Sequence, residues 1–119
     1  MFKIRQELLD ALTKDMEDRF KHRLCQHLRT AYVSEVAALN AEQLQQFVAT
    51  GIDKAMAYQI DIEGDIADYL VLLLRHGMDF EQQPKHRWAL AILQNPEMAG
   101  GMKIQALEER FENQRGPHG

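Results

Sequence analysis

Apolar residues recur along this chain at three- and four-residue spacings, the signature of helices. A buried strand is the alternative for the longest apolar run, and its leucine-rich composition, length and end signals argue for helix instead. The pattern is densest over residues 61–77. Ile62, Ile66, Tyr69, Leu70 and Leu73 fall on one helix face, and Tyr69 to Leu74 is then apolar without a break. An unbroken run puts side chains on every side of a helix, so its second half must be covered all round. Asp61 is placed to cap this helix, with Glu63 and Asp65 at its positive end. Arg75 and His76 suit its negative end, and Gly77 suits its termination. The expectation is a central helix over 61–77 with the others packed around it.

Read in order, the pattern predicts a long first helix from about Lys3 to Thr30. Its apolar positions are Ile4, Leu8, Leu12, Met16, Phe20, Leu24 and Leu28. A spacing of four advances a helix by roughly 400°, so this stripe drifts by about 40° at each step. One straight partner cannot cover it. Its two ends are expected to meet different elements, or one end to meet another molecule, which leaves room for a homodimer. Lys3–Glu7, Asp10–Lys14, Asp15–Arg19 and Glu17–Lys21 stand four apart and can pair.

Ala31 to Leu39 reads as a connection, with Tyr32, Val33 and Val36 as core contacts. Asn40 and Gln43 have capping-box spacing and open a second helix, with Leu44, Phe47, Val48, Gly51, Ile52, Ala55 and Met56 on its buried face. Gly51 on that face points to close approach of a neighbour. Past Gly77, Pro84 suits the start of a short helix carrying Trp88 and Leu90 to Leu93, ended by Asn95-Pro96. Gly100-Gly101 is expected to be a flexible joint. A last helix from Met102 to about Asn113 carries Ile104, Leu107 and Phe111, and Gln114 to Gly119 should fray. The prediction is an all-α protein with one compact domain of about five helices over 1–113 and a flexible tail over 114–119.

Composition narrows the function classes. The chain has 119 residues, net charge −4 and 45% hydrophobic residues, a globular balance. The acidic charge disfavours nucleic-acid binding. A single cysteine, Cys25, rules out an internal disulfide and fits a reducing compartment. No apolar run reaches the length of a membrane span, and the N-terminus does not resemble a signal peptide. A cytoplasmic protein is expected.

No catalytic, cofactor or metal constellation emerges. His22, Cys25 and His27 are close in sequence, but His27 does not share their helix face and no second cysteine exists. Ser34 is the only serine and lacks a nucleophile-elbow setting. Asp61, Asp65 and Asp68 are explained by their place at a helix start. The remaining candidates are contact residues. From Arg19 to Ser34 there is no acid, while Arg19, Lys21, Arg23 and Arg29 are basic. That stretch is either a solvated face or a docking patch for an acidic surface. Asp79, Phe80, Arg87 and Trp88 edge the loop around Pro84 and include residue types that dominate interfaces.

The spaced pattern Phe47-x3-Gly51-x3-Ala55-x2-Tyr58-x-Ile60, Glu63-x-Asp65-Ile66-x2-Tyr69, Gly77-x-Asp79-Phe80 and Trp88-Ala89-x2-Ile92-Leu93 resembles small helical proteins of bacterial type VI secretion clusters. These are encoded beside the spike protein and adaptor chaperones. Gly64 departs from the pattern, which has a charged residue there. The resemblance spans about residues 44–93. It implies a non-catalytic accessory role, with a secretion adaptor, spike or effector as protein partner and no catalytic residue. Two alternatives are an immunity protein that neutralises a toxin and a helical nucleic-acid-binding regulator using Arg19 to Arg29.

Overall fold

The structure, a computed structural model, describes the backbone of residues 2–115 and the side chains of residues 14–113. The protein is all-α. Among the described residues there are six α-helices, two short 3-10 turns and no strand. The helices are α1 (Phe2–Ala31), α2 (Val33–Val36), α3 (Ala41–Ala57), α4 (Glu63–His76), α5 (Arg87–Leu93) and α6 (Gly100–Arg115). The 3-10 turns are η1 (Phe80–Gln82) and η2 (Pro84–His86). The chain divides into two compact units, Met1–Ala49 and Thr50–Gly119, with the division falling inside α3. Of the tail expected to fray over 114–119, Gln114 and Arg115 instead continue the α6 backbone, and residues 116–119 lie outside the described residues.

In the first unit α1 packs against α2. Leu24, Cys25, Leu28, Val36, Leu44 and Val48 are buried. Tyr32 breaks the helix but keeps contact with it. Its amide donates to the Leu28 carbonyl at 2.9 Å, and its ring meets His27 edge-on. Val33, expected in the core, is exposed. It opens a helix of only four residues, too short to present more than one inward position, and Val36 takes that position. The capping box forms as the spacing predicts. Gln43 N–H donates to Asn40 Oδ1 at 2.7 Å, and Asn40 N–H donates to Gln43 Oε1 at 3.0 Å. Two orphan amides at the start of α3 are satisfied in this way.

In the second unit α4 carries the core. Ile66, Tyr69, Leu70, Val71, Leu72 and Leu73 are all buried, while Leu74, the last residue of the unbroken apolar run, is half-buried. Gly51 explains how closely α3 approaches: a Cβ at that position would stand 1.9 Å from Leu70 Cδ2. The start of α4 differs from expectation. The helix begins after Ile62, whose backbone is extended, and no side chain caps it. Asp61 is exposed and Ile62 faces outward. Gly77 closes α4 at φ 107°, a backbone conformation open to glycine, and its amide reaches the Leu73 carbonyl at 2.9 Å.

Gln83 is extended before Pro84, and the proline opens η2, as proline sterics dictate. The Gly100-Gly101 pair is not a joint. Both residues belong to the first turn of α6. Gly100 lies against the chain at Ile60, where a Cβ would come within 3.1 Å of the Ile60 Cα, so close packing rather than flexibility requires its small size. The Asp65 carboxylate sits beside Gly101, favourably placed for the positive end of α6. Beyond these glycines α6 packs on α4 and α5 through a face that includes buried Ile104, Leu107 and Phe111.

Candidate protein-binding surfaces

Two surfaces hold the contact residues expected from sequence, and they behave differently. The first is the middle of α1. Residues 14–19 are all exposed. Met16 is 56% exposed, and Phe20, one helical turn on, is half-buried. Only from Leu24 does the helix bury its apolar positions. The stripe therefore changes character along its length, as its drift around the helix predicts. Ile4, Leu8 and Leu12, and the Lys3–Glu7 and Asp10–Lys14 spacings, involve side chains outside the described residues. The Asp15–Arg19 and Glu17–Lys21 pairs allowed by spacing do not form; exposed pairs at this distance gain little over hydration. Arg19, Arg23 and Arg29 are exposed, and the Arg23 guanidinium lies 5.6 Å from the Phe20 ring centroid.

Alongside this face runs a cleft of about 290 Å³. Lys21, His22, Gln26 and Arg29 supply its α1 side, Gln45 its α3 side, and Asp18 one end. Cys25 lines it as well. Burial pushes the Cys25 thiol up, against the lowering effect of the Arg29 guanidinium. A buried thiol held neutral is a poor nucleophile, consistent with packing as the role of this residue. A shallower groove lies beside it, lined by Asp15, Asp18, Arg19, His22 and Arg23.

The second surface is the Asp79–Trp88 loop, where the structure corrects the sequence. Phe80 is 0% exposed and belongs to the core, so it is removed from the contact residues. It sits in an aromatic cluster with His76, His86 and Phe111. The neighbouring Asp79 and Arg87 are exposed, and Trp88 is half-buried. Trp88 meets Phe111 edge-on, with the Arg110 guanidinium 4.9 Å from its ring centroid. Its indole ring is thus held within the unit.

Sequence reasoning missed the group that fixes this loop. Glu81 is only 2% exposed, and its Oε2 accepts from Lys54 Nζ and Tyr58 Oη, both at 2.8 Å. Lys54 also donates to Asp79 Oδ1 at 3.0 Å and to the Met78 carbonyl. One ammonium therefore ties three positions of the loop, Met78, Asp79 and Glu81, to α3. Burial, the hydrogen bond to Glu81 and the charges of Glu81 and Asp79 push the Tyr58 hydroxyl well above its usual range. Burial does the same for Tyr69, reinforced by Glu81. Lys103, 2% exposed, donates from Nζ to the Tyr58 carbonyl at 2.7 Å, and burial lowers its pKa. A signal for Lys54 existed: between Glu42 and Glu81 only Lys54 and Arg75 are basic. A signal for Lys103 also existed, since it shares a four-residue line with Leu107 and Phe111.

A third cleft, about 310 Å³, lies between α4 and α6 and is lined by Leu72, Arg75, Gln105, Glu108 and Glu112 among others. Desolvation raises the Glu108 carboxyl, with Asp68 and Glu112 adding to the effect and Arg75 opposing it. Among the described residues no group of three or more His, Cys, Asp or Glu is arranged to hold a metal ion. None of the described helices is long and apolar enough to cross a membrane. No family model, curated protein or solved structure matches the chain.

Proposed function

We propose that the chain is a non-catalytic protein-binding accessory protein, cytoplasmic and co-chaperone-like, that helps assemble or load a type VI secretion effector with its adaptor and spike. The observation that carries protein binding is the exposed middle of α1. An apolar position, Met16, stands in water on a helix that buries Leu24, Cys25 and Leu28 further along. Continuing an apolar stripe into solvent leaves surface that another protein can cover. The resemblance over residues 44–93 supplies the secretion system. It lies mainly on positions that build the core, such as Gly51, Ala55, Ile66 and Tyr69, and so speaks to the scaffold rather than to the contact face.

The test is affinity capture with the tagged chain from its native host, identified by mass spectrometry and paired with light scattering on the purified protein. Recovery of a type VI adaptor, spike or effector is the expected result. Recovery of a toxin from which the chain protects the cell would replace this reading with the immunity-protein one. Retention on DNA in place of protein would favour a nucleic-acid-binding regulator.

A further inference from the structure

We propose that the cleft between α1 and the start of α3 is a docking site for an acidic peptide segment of the partner protein, one carrying two carboxylates about two helical turns apart. This inference rests on the protein-binding reading and names the chemistry of the partner. The cleft has two cations, Lys21 and Arg29, on the same face of α1. They are eight residues apart, which on an α-helix is about 12 Å along the axis. Neither is ion-paired among the described residues. Between them the amides of Gln26 and Gln45 offer donors and acceptors to a peptide backbone or to neutral side chains. The Cys25 thiol, buried and neutral, adds no competing charge.

Charge placement selects a peptide over a nucleic acid. Asp18 lies at one end of the cleft, and Asp15 and Glu17 are exposed on the same helix just before it. A polynucleotide carries phosphates at every step and would set some of them against these carboxylates. A peptide can place acids opposite Lys21 and Arg29 alone and leave Asp18 facing a neutral or donor side chain. An arginine can also take a carboxylate through two parallel hydrogen bonds, which a carboxylate-bearing segment exploits. The required spacing is met by acids eight apart on a partner helix or about four apart on an extended segment.

The direct test is an NMR titration of the full chain, following backbone amides. The probe is a helical peptide with two glutamates eight residues apart. A matched peptide with glutamine at both positions and a single-stranded oligonucleotide serve as controls. The expected result is shift changes at Lys21, Cys25, Gln26, Arg29 and Gln45 with the glutamate peptide, weakened by salt, and none with the glutamine peptide. Lys21→Glu combined with Arg29→Glu should raise the dissociation constant about tenfold or more. The milder pair Lys21→Gln and Arg29→Gln should weaken binding in the same direction, with folding checked by circular dichroism. Equal shifts with both peptides, shifts confined to other surfaces, no shifts at low salt, or stronger binding of the oligonucleotide would each overturn the proposal. Failure here would leave capture of a secretion component intact as a test of the function, and failed capture would leave the titration result standing.

Discussion

The middle of α1 and the second half of α4 are both helical and both rich in apolar residues, yet one buries them and the other does not. In α4 the run from Tyr69 to Leu73 is buried side chain by side chain. In α1 the apolar residues come singly, four apart, and Met16 is exposed while Leu24 and Leu28 are buried. The difference is one of arrangement. Adjacent apolar residues cover every face, and no orientation of the helix can leave them in water without large cost. Apolar residues four apart move steadily around the helix. A neighbour that covers one end of that line leaves the other uncovered. Continuous hydrophobicity thus specifies a core helix, and the drifting stripe specifies a helix that serves two environments in turn.

The largest effect is expected where α4 is emptied. Leu70→Ala should lower unfolding stability by about 2–5 kcal/mol, because Leu70 is fully buried and the cavity cannot close completely. Urea unfolding measures it. A loss below about 1 kcal/mol would mean that α4 is not the centre of its unit.

Next in size is the polar tie on the same unit. Lys54→Met removes the ammonium from a carboxylate that is almost wholly buried. It should cost about 3 kcal/mol, most of it the penalty of leaving Glu81 without its cation. Tyr58 alone would remain as a donor to Glu81 Oε2. A neutral outcome in the same assay would show that Asp79 and Glu81 contribute little to holding the loop.

A smaller effect is expected at the contact of α3 with α4. Gly51→Ala gains up to about 1 kcal/mol of helix propensity. The new methyl must displace the Leu70 side chain, and overpacking of this kind costs about 1–3 kcal/mol. The net expectation is a loss of about 1 kcal/mol. A gain in urea midpoint would mean that Leu70 relocates freely and that the approach is looser than the structure shows.

The smallest effect sharpens the contrast. Met16→Ala should change stability by no more than about 0.5 kcal/mol, because an exposed side chain already contacts water. Comparison with Leu70→Ala under one set of conditions places the two helices at opposite ends of the same scale. A destabilisation above about 1.5 kcal/mol would show that Met16 is covered in solution, for example by a second copy of the chain.

These regions also show where sequence was informative. The helix class, the α3 capping box, the buried half of α4 and the proline-led turn follow from local rules about spacing, caps and backbone sterics. Each of those rules acts within a few residues, so the sequence displays it directly. The errors share a different origin. Gly100 and Gly101 suggest a joint in sequence because a missing side chain looks the same whether it permits motion or admits a neighbour; the neighbour of Gly100, Ile60, is distant in sequence. Phe80 suggests a contact residue in sequence because an aromatic beside a loop serves either role until its aromatic companions His86 and Phe111 are located. Lys54, Glu81 and Lys103 carry no local signal of their bonds, because their partners are far away in sequence, Lys54 with Glu81 and Lys103 with the Tyr58 carbonyl. Of the contact face, the basic stretch from Arg19 to Arg29 was legible. The cleft formed with Gln45 was not, since it needs the geometry of two helices.

The most direct measurement is affinity capture repeated with a Met16→Asp chain of verified stability. A charge on the exposed stripe should leave the urea midpoint unchanged, since Met16 is not part of the core. The expected result is that the unaltered chain retains a secretion component and the Met16→Asp chain loses it. Equal retention by both chains, or no secretion component with either, would contradict the assignment of the α1 face as the surface through which this protein works.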